Sequence, residues 1–178
     1  MVTSAPEVEG FKKWPFVGLH IRRGDKVRVD EANYHACEEY LAAAVNYLEG
    51  TSAPLSVNDV RGIWVASDDS TVLDEVRAAA PSYFPNVDNS TVVLASGGVT
   101  GGPDPGGIIN TRTEKQSYAQ VVYLIADLQH LVDASVFVGT FSSNVGRLVA
   151  VLREALAKKK EDSTINLDRN AWNPGRHL

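Results

Sequence analysis

Ser135-Val-Phe-Val-Gly-Thr-Phe-Ser-Ser-Asn-Val-Gly-Arg147 holds a strand, a turn and a helix start in one continuous stretch. Ser135–Val138 is short, apolar and rich in β-branched residues, as a strand covered on both faces requires. Gly139 and the hydroxyl residues that follow break the run. Val145, Leu148, Val149, Leu152 and Leu156 then recur at helical spacing. Working outward, Phe16–Ile21, Ile63–Ala66 and Thr91–Leu94 are runs of the same kind. Tyr34, Cys37, Leu41, Ala44, Val45 and Leu48 mark one helix face. Val121, Leu124, Ile125, Leu128, Leu131 and Val132 mark another, and a shorter helix runs from Ser70 to Ala80, stopped by Pro81. The order β-α-β-α-β-α-β-α predicts a doubly wound, Rossmann-like α/β domain with a mostly parallel sheet.

The totals agree with one soluble domain. The chain has 178 residues, 44% of them hydrophobic and 22% charged, which suits a single core. Its expected core spans residues 14–160, with a polar tail over 163–178. Net charge is −5 without a basic face, which argues against nucleic acid as a partner, because that partner needs a stripe of cations. Cys37 is the only cysteine, so no internal disulfide can form. No apolar run reaches the ~18–20 residues that would span a bilayer, and Met1–Trp14 has no signal-type apolar stretch.

Ligands of such folds bind beyond the carboxyl ends of the strands, and three polar clusters fall there. The first is His20-Ile-Arg-Arg-Gly-Asp-Lys26. Arg22 and Arg23 offer planar forks of donors suited to phosphate oxygens, and Lys26 adds a point charge. A charge-assisted hydrogen bond is worth ~1.5–3 kcal/mol, against ~0.3–1 kcal/mol for a helix N-terminus acting alone. A diphosphate held without metal therefore depends mainly on the arginines. A solvated charged loop, with Asp25 paired to a neighbour, is the plainer reading. The second cluster is Thr140, Ser142, Ser143 and Asn144, more polar groups than one helix cap requires, which suits a phosphate at a helix start. The third, Asp68 and Asp69, supplies too few oxygens for a divalent metal. Capping by Asp69 or Ser70, with Asp68 paired to an arginine, accounts for it better.

Taken together, these residues resemble the α1,6-fucosyltransferases and the related rhizobial nodulation fucosyltransferases. His20-Ile-Arg-Arg-Gly-Asp-Lys-Val27 is similar to the family's first signature, Val65-Ala-Ser-Asp-Asp69 to the second, and Asp127 with Asp133-Ala-Ser-Val-Phe-Val-Gly-Thr-Phe-Ser-Ser143 to the third. The resemblance implies the donor-binding half of a GT-B glycosyltransferase, a single GDP-fucose-binding domain over residues 1–178. The implied reaction transfers fucose from GDP-fucose to an N-acetylglucosamine-containing glycan, in α1,6 linkage, with inversion and with no metal or other cofactor. It also implies a glycan acceptor, an N-terminal Rossmann-like half outside this sequence, and a Golgi lumen.

By the same resemblance His20 and Asp127 contact guanine, Arg22 holds the β-phosphate, and Ser142, Ser143 and Asn144 line the diphosphate. Glu31 matches the base that takes the acceptor proton, and Lys26 pairs with it or contacts the sugar. Asp25, Tyr40, Asp68 and Asp69 match supporting positions. Gly24 and Asn144 depart from the family pattern, and the spacing from Lys26 to Glu31 is one residue longer. A non-catalytic module binding a GDP-sugar or a glycan, and an O-fucosyltransferase-type enzyme with a protein acceptor, are the alternatives.

Overall fold

Alternation along Phe16-Val-Gly-Leu-His-Ile21 decides which helices cover which face, because successive side chains of a strand point to opposite sides. The computed structural model describes residues 14–23, 34–50, 53–69, 71–94, 114–156 and 163–168. Strands β1 (Phe16–Ile21), β2 (Gly62–Ser67), β3 (Val92–Leu94), β4 (Val136–Gly139) and β5 (Thr164–Asn166) alternate with helices α1 (Cys37–Leu48), α2 (Thr71–Ala79), α3 (Glu114–Asp133) and α4 (Asn144–Ala155). All neighbouring strands pair in parallel, in the order β3-β2-β1-β4-β5. The α/β class expected from the periodicities is the observed one.

Val17, Leu19 and Ile21 share one core with Ile63, Val65, Val136 and Val138, closed by α1 and α2. Phe16, Trp64, Ala66 and Phe137 form the second core, closed by Leu131 and Val132 of α3 and Val149 and Ala150 of α4. Helices thus cover both faces. Strand order reverses between β1 and β4, and such a reversal opens a crevice at the carboxyl ends of the two strands.

Three features differ from the sequence-based expectation. Thr164–Asn166, inside the stretch read as a polar tail, is a fifth strand paired with β4. On α3, Val121, Leu124 and Ile125 are exposed, while Asp127 and His130 take inward positions beside Leu131. Only the last turns of the expected apolar stripe face inward, because polar groups with internal partners can occupy the buried arc. On α4 Leu148 is exposed and Arg153 is buried, and Leu156, just past its end, is exposed too. The Arg153 guanidinium donates to the carbonyls of Leu131, Val132 and Ala134 and to the carbonyl and hydroxyl of Ser163, with Nε donating to the Thr164 hydroxyl. It ties the end of α3 to the start of β5, and a cation there complements the helix dipole.

Candidate functional site

Strand β1 ends at the reversal point and delivers His20, Arg22 and Arg23 there. His20 follows the alternation onto the α3/α4 face, opposite Ala66 in register. It is buried, and its Nδ1 finds no hydrogen-bond partner among the described residues. Burial, and then the neighbouring Arg22 charge, push its pKa down to about 4, against a smaller opposing pull from Asp68. The ring is therefore neutral at pH 7, with one nitrogen able to donate and the other to accept.

Arg22 and Arg23 diverge. Arg22 Nε lies 3.2 Å from Asp68 Oδ2, with both side chains about a quarter exposed. Arg23 Nη1 donates to Glu75 Oε1 at 2.6 Å, Nη2 approaches Cys37 Sγ at 3.3 Å, and its guanidinium carbon stands 4.9 Å above the Tyr34 ring. Its side chain is 8% exposed. The phosphate-ligand reading of Arg23 thus meets a guanidinium already engaged by Glu75, Cys37 and Tyr34. Burial, then the hydrogen bond to Glu75, push the Cys37 thiol up to about 12, so it stays protonated.

The acidic pair after β2 divides its work. Asp68 Oδ1 accepts the Arg23 amide at 2.9 Å. Asp69 Oδ1 accepts the amide and hydroxyl of Thr71, at 2.9 and 2.8 Å, and so caps α2. The arginine-pairing and capping roles expected from the sequence are those observed.

Asp127 is buried on α3 and accepts the Trp64 indole N–H at 3.1 Å. Trp64 in turn stacks on His130, with centroids 3.7 Å apart and planes 10° from parallel. Burial raises the Asp127 carboxyl to about 7, and the Trp64 hydrogen bond opposes that shift. Asp127 and His20 both serve the same face of the sheet.

At the end of β4, Thr140 and Ser143 are buried, Ser142 is half-buried and Asn144 is exposed. Thr140 Oγ1 and Ser142 Oγ are shielded and have no hydrogen-bond partner among the described residues. Ser143 holds the N-cap position of α4 without a side-chain capping bond, and Asn144 Oδ1 accepts from Arg147. A Cβ on Gly146 would stand 2.2 Å from the Thr140 carbonyl oxygen, so glycine lets α4 close onto the turn.

Two residues at this turn escaped the sequence reading. Asn166 Oδ1 accepts the Phe141 amide at 3.0 Å, and Asp168 Oδ2 accepts the Ser142 amide at 2.8 Å. The signal was Asx residues alternating with Ile165 and Leu167, too short to separate from a loop. Tyr40 is buried in the α1 core, edge-on to His35 with centroids 6.2 Å apart. Burial, then the Asp168 charge, raise its phenol above the ordinary range. Asp25, Lys26 and Glu31 lie outside the described residues. The structure thus places His20 and Arg22 at the end of β1, Asp68 just after β2, and Thr140, Ser142 and Ser143 just after β4, with Asp127 on α3.

Residues 2–169 match the family model described as alpha-(1,6)-fucosyltransferase N- and catalytic domains. An alpha-(1,6)-fucosyltransferase of Drosophila melanogaster is 43% identical over 72 residues, which cover 39% of this chain and 11% of that protein. One of Caenorhabditis elegans is 32% identical over 142 residues, covering 80% of this chain and 22% of that protein. The matched stretches thus span only 11% and 22% of the lengths of these two relatives.

Proposed function

Because the chain belongs to the alpha-(1,6)-fucosyltransferase family, we propose that it binds GDP-fucose in the crevice between β1 and β4 and serves fucose transfer to a glycan. One observation carries this reading: His20 Nδ1 on β1, and Thr140 Oγ1 and Ser142 Oγ after β4, are shielded polar atoms without partners among the described residues, at the ends of the two strands between which the order reverses. Leaving such atoms unpaired costs ~1–3 kcal/mol each, a cost that a polar ligand relieves.

In this proposal neutral His20 and Asp127 meet guanine, and Arg22 meets the β-phosphate as charge builds on departing GDP. Ser142, Ser143 and Asn144 line the diphosphate. Glu31 removes the proton of the attacking hydroxyl, helped by Lys26, and Asp25, Arg23, Tyr40, Asp68 and Asp69 support these groups. Transfer proceeds with inversion and without a metal, onto an N-acetylglucosamine-containing acceptor in α1,6 linkage. An N-terminal Rossmann-like half completes the acceptor side, and the Golgi lumen is the compartment. No described helix is long and apolar enough to cross a membrane.

Thermal melting with nucleotides tests the reading. Millimolar GDP raises the melting temperature, ADP does so less, and Arg22→Ala removes most of the effect, since one charge-assisted bond of ~1.5–3 kcal/mol is roughly a 10- to 150-fold change in affinity. Unchanged melting of the wild-type protein with GDP rejects the pocket.

A further inference from the structure

The turn after β4 does not hold its amides free for an anion. Phe141 N–H is taken by Asn166 and Ser142 N–H by Asp168, at 3.0 and 2.8 Å, while Ser143 N–H reaches the Thr140 carbonyl at 3.3 Å. What the turn retains for a ligand is the shielded hydroxyls of Thr140 and Ser142. Their placement depends on the backbone that Asn166 and Asp168 grip from β5 and the residues after it.

Asp168 is built to hold still. Its amide donates to Asn166 Oδ1 and its carbonyl accepts from Asn166 Nδ2, both at 3.1 Å. Leu167 N–H bonds the Gly139 carbonyl at 3.0 Å. The Asp168 side chain is only 7% exposed. Its second oxygen, Oδ1, is shielded and makes no hydrogen bond among the described residues; it stands 3.8 Å from His35 Nε2, an ion-pair distance too long for a hydrogen bond. A buried carboxylate beside a diphosphate repels it, so direct contact is the wrong role for this group.

We propose that Asp168 is a positioning residue for the diphosphate, fixing the Ser142 amide so that the turn's hydroxyls meet the phosphate oxygens. This rests on the nucleotide reading above. Asp168 acts through Ser142 and as a hydrogen-bond acceptor, so its charge is dispensable. An asparagine keeps an acceptor for the Ser142 amide and removes the repulsion, whereas alanine removes both.

Calorimetric titration of the 178-residue chain with GDP and with guanosine decides the matter. Asp168→Ala is expected to weaken GDP about tenfold with guanosine unchanged, while Asp168→Asn stays within about twofold of wild type or binds GDP more tightly. GDP binding unchanged in Asp168→Ala overturns the proposal, as does loss of GDP and guanosine in equal proportion, the mark of general damage. Asp168→Asn failing like alanine also overturns it. Wild-type protein that binds neither compound defeats the nucleotide reading, and this inference with it, before any substitution is compared.

Discussion

Arg22 Nε lies 3.2 Å from Asp68 Oδ2, joining the carboxyl ends of two adjacent strands by one ion pair. The same carboxylate accepts the Arg23 amide, so Asp68 shapes the turn as well as aiming a cation. The pair is partly exposed, and water screens it to ~0.2–1 kcal/mol. The bond from the Arg23 amide adds ~1.5–3 kcal/mol. Asp68→Ala is therefore expected to cost about 2–4 kcal/mol in urea denaturation, and Asp68→Asn, which keeps an acceptor, less than about 1 kcal/mol. Equal midpoints for wild type and Asp68→Ala would show that the carboxylate shapes nothing.

His20 and Asp127 give stability opposite pH slopes. Asp127 titrates at about 7 folded against an ordinary 3.8, so between those values the folded form binds more protons. Its contribution falls as pH rises through that window. His20 titrates at about 4 folded against 6.5, so there the unfolded chain binds more protons and stability rises with pH. The two nearly cancel in the wild type. Asp127→Asn keeps an acceptor for the Trp64 N–H and removes one slope. Its stability relative to wild type should grow from pH 4 to 7 by on the order of a few kcal/mol, then level off. A constant difference across pH 4–8 in denaturant titrations would rule this out.

Arg153 is expected to be among the most sensitive positions outside the crevice. Replacing it with methionine keeps much of the apolar stem but strips donors from the carbonyls of Leu131, Val132, Ala134 and Ser163. Expected destabilisation is about 2–4 kcal/mol by chemical denaturation. Arg153→Lys should recover only part of it, since one ammonium cannot serve acceptors in two directions. Burial already draws the guanidinium down to about 10. A loss below 0.5 kcal/mol, within the ordinary range of surface changes, would mean that water replaces the guanidinium.

What the sequence made legible follows from range. Strands β1, β2 and β4 are apolar runs whose burial requires nothing distant, and His20 and Arg22 inherit their place from the end of β1. The pairing of Arg23 with Glu75 spans 52 positions, and no local pattern encodes it. The inward arc of α3 was hidden because Asp127 and His130 count as polar until Trp64 and the Ala126 carbonyl are seen to satisfy them. Strand β5 was hidden because three half-buried residues between Asx and hydroxyl neighbours carry almost no periodicity. Asp168 was missed with it.

Gly146 tests whether the turn after β4 must keep its present shape. A methyl group there would meet the Thr140 carbonyl oxygen at 2.2 Å, a backbone atom that cannot rotate aside. Alanine is the better helix former by ~1 kcal/mol, so an unconstrained helical glycine would gain stability from the change. Here the clash has to be relieved by moving either α4 or the turn, at ~1–3 kcal/mol. Moving the turn also drags Thr140 Oγ1 and Ser142 Oγ, so GDP binding should fall further than stability does. Gly146→Ala is therefore expected to be destabilised by up to about 2 kcal/mol net and to lose thermal protection by GDP even where it is fully folded. A stabilised Gly146→Ala protein that still responds to GDP would show that helix and turn separate without consequence for the pocket.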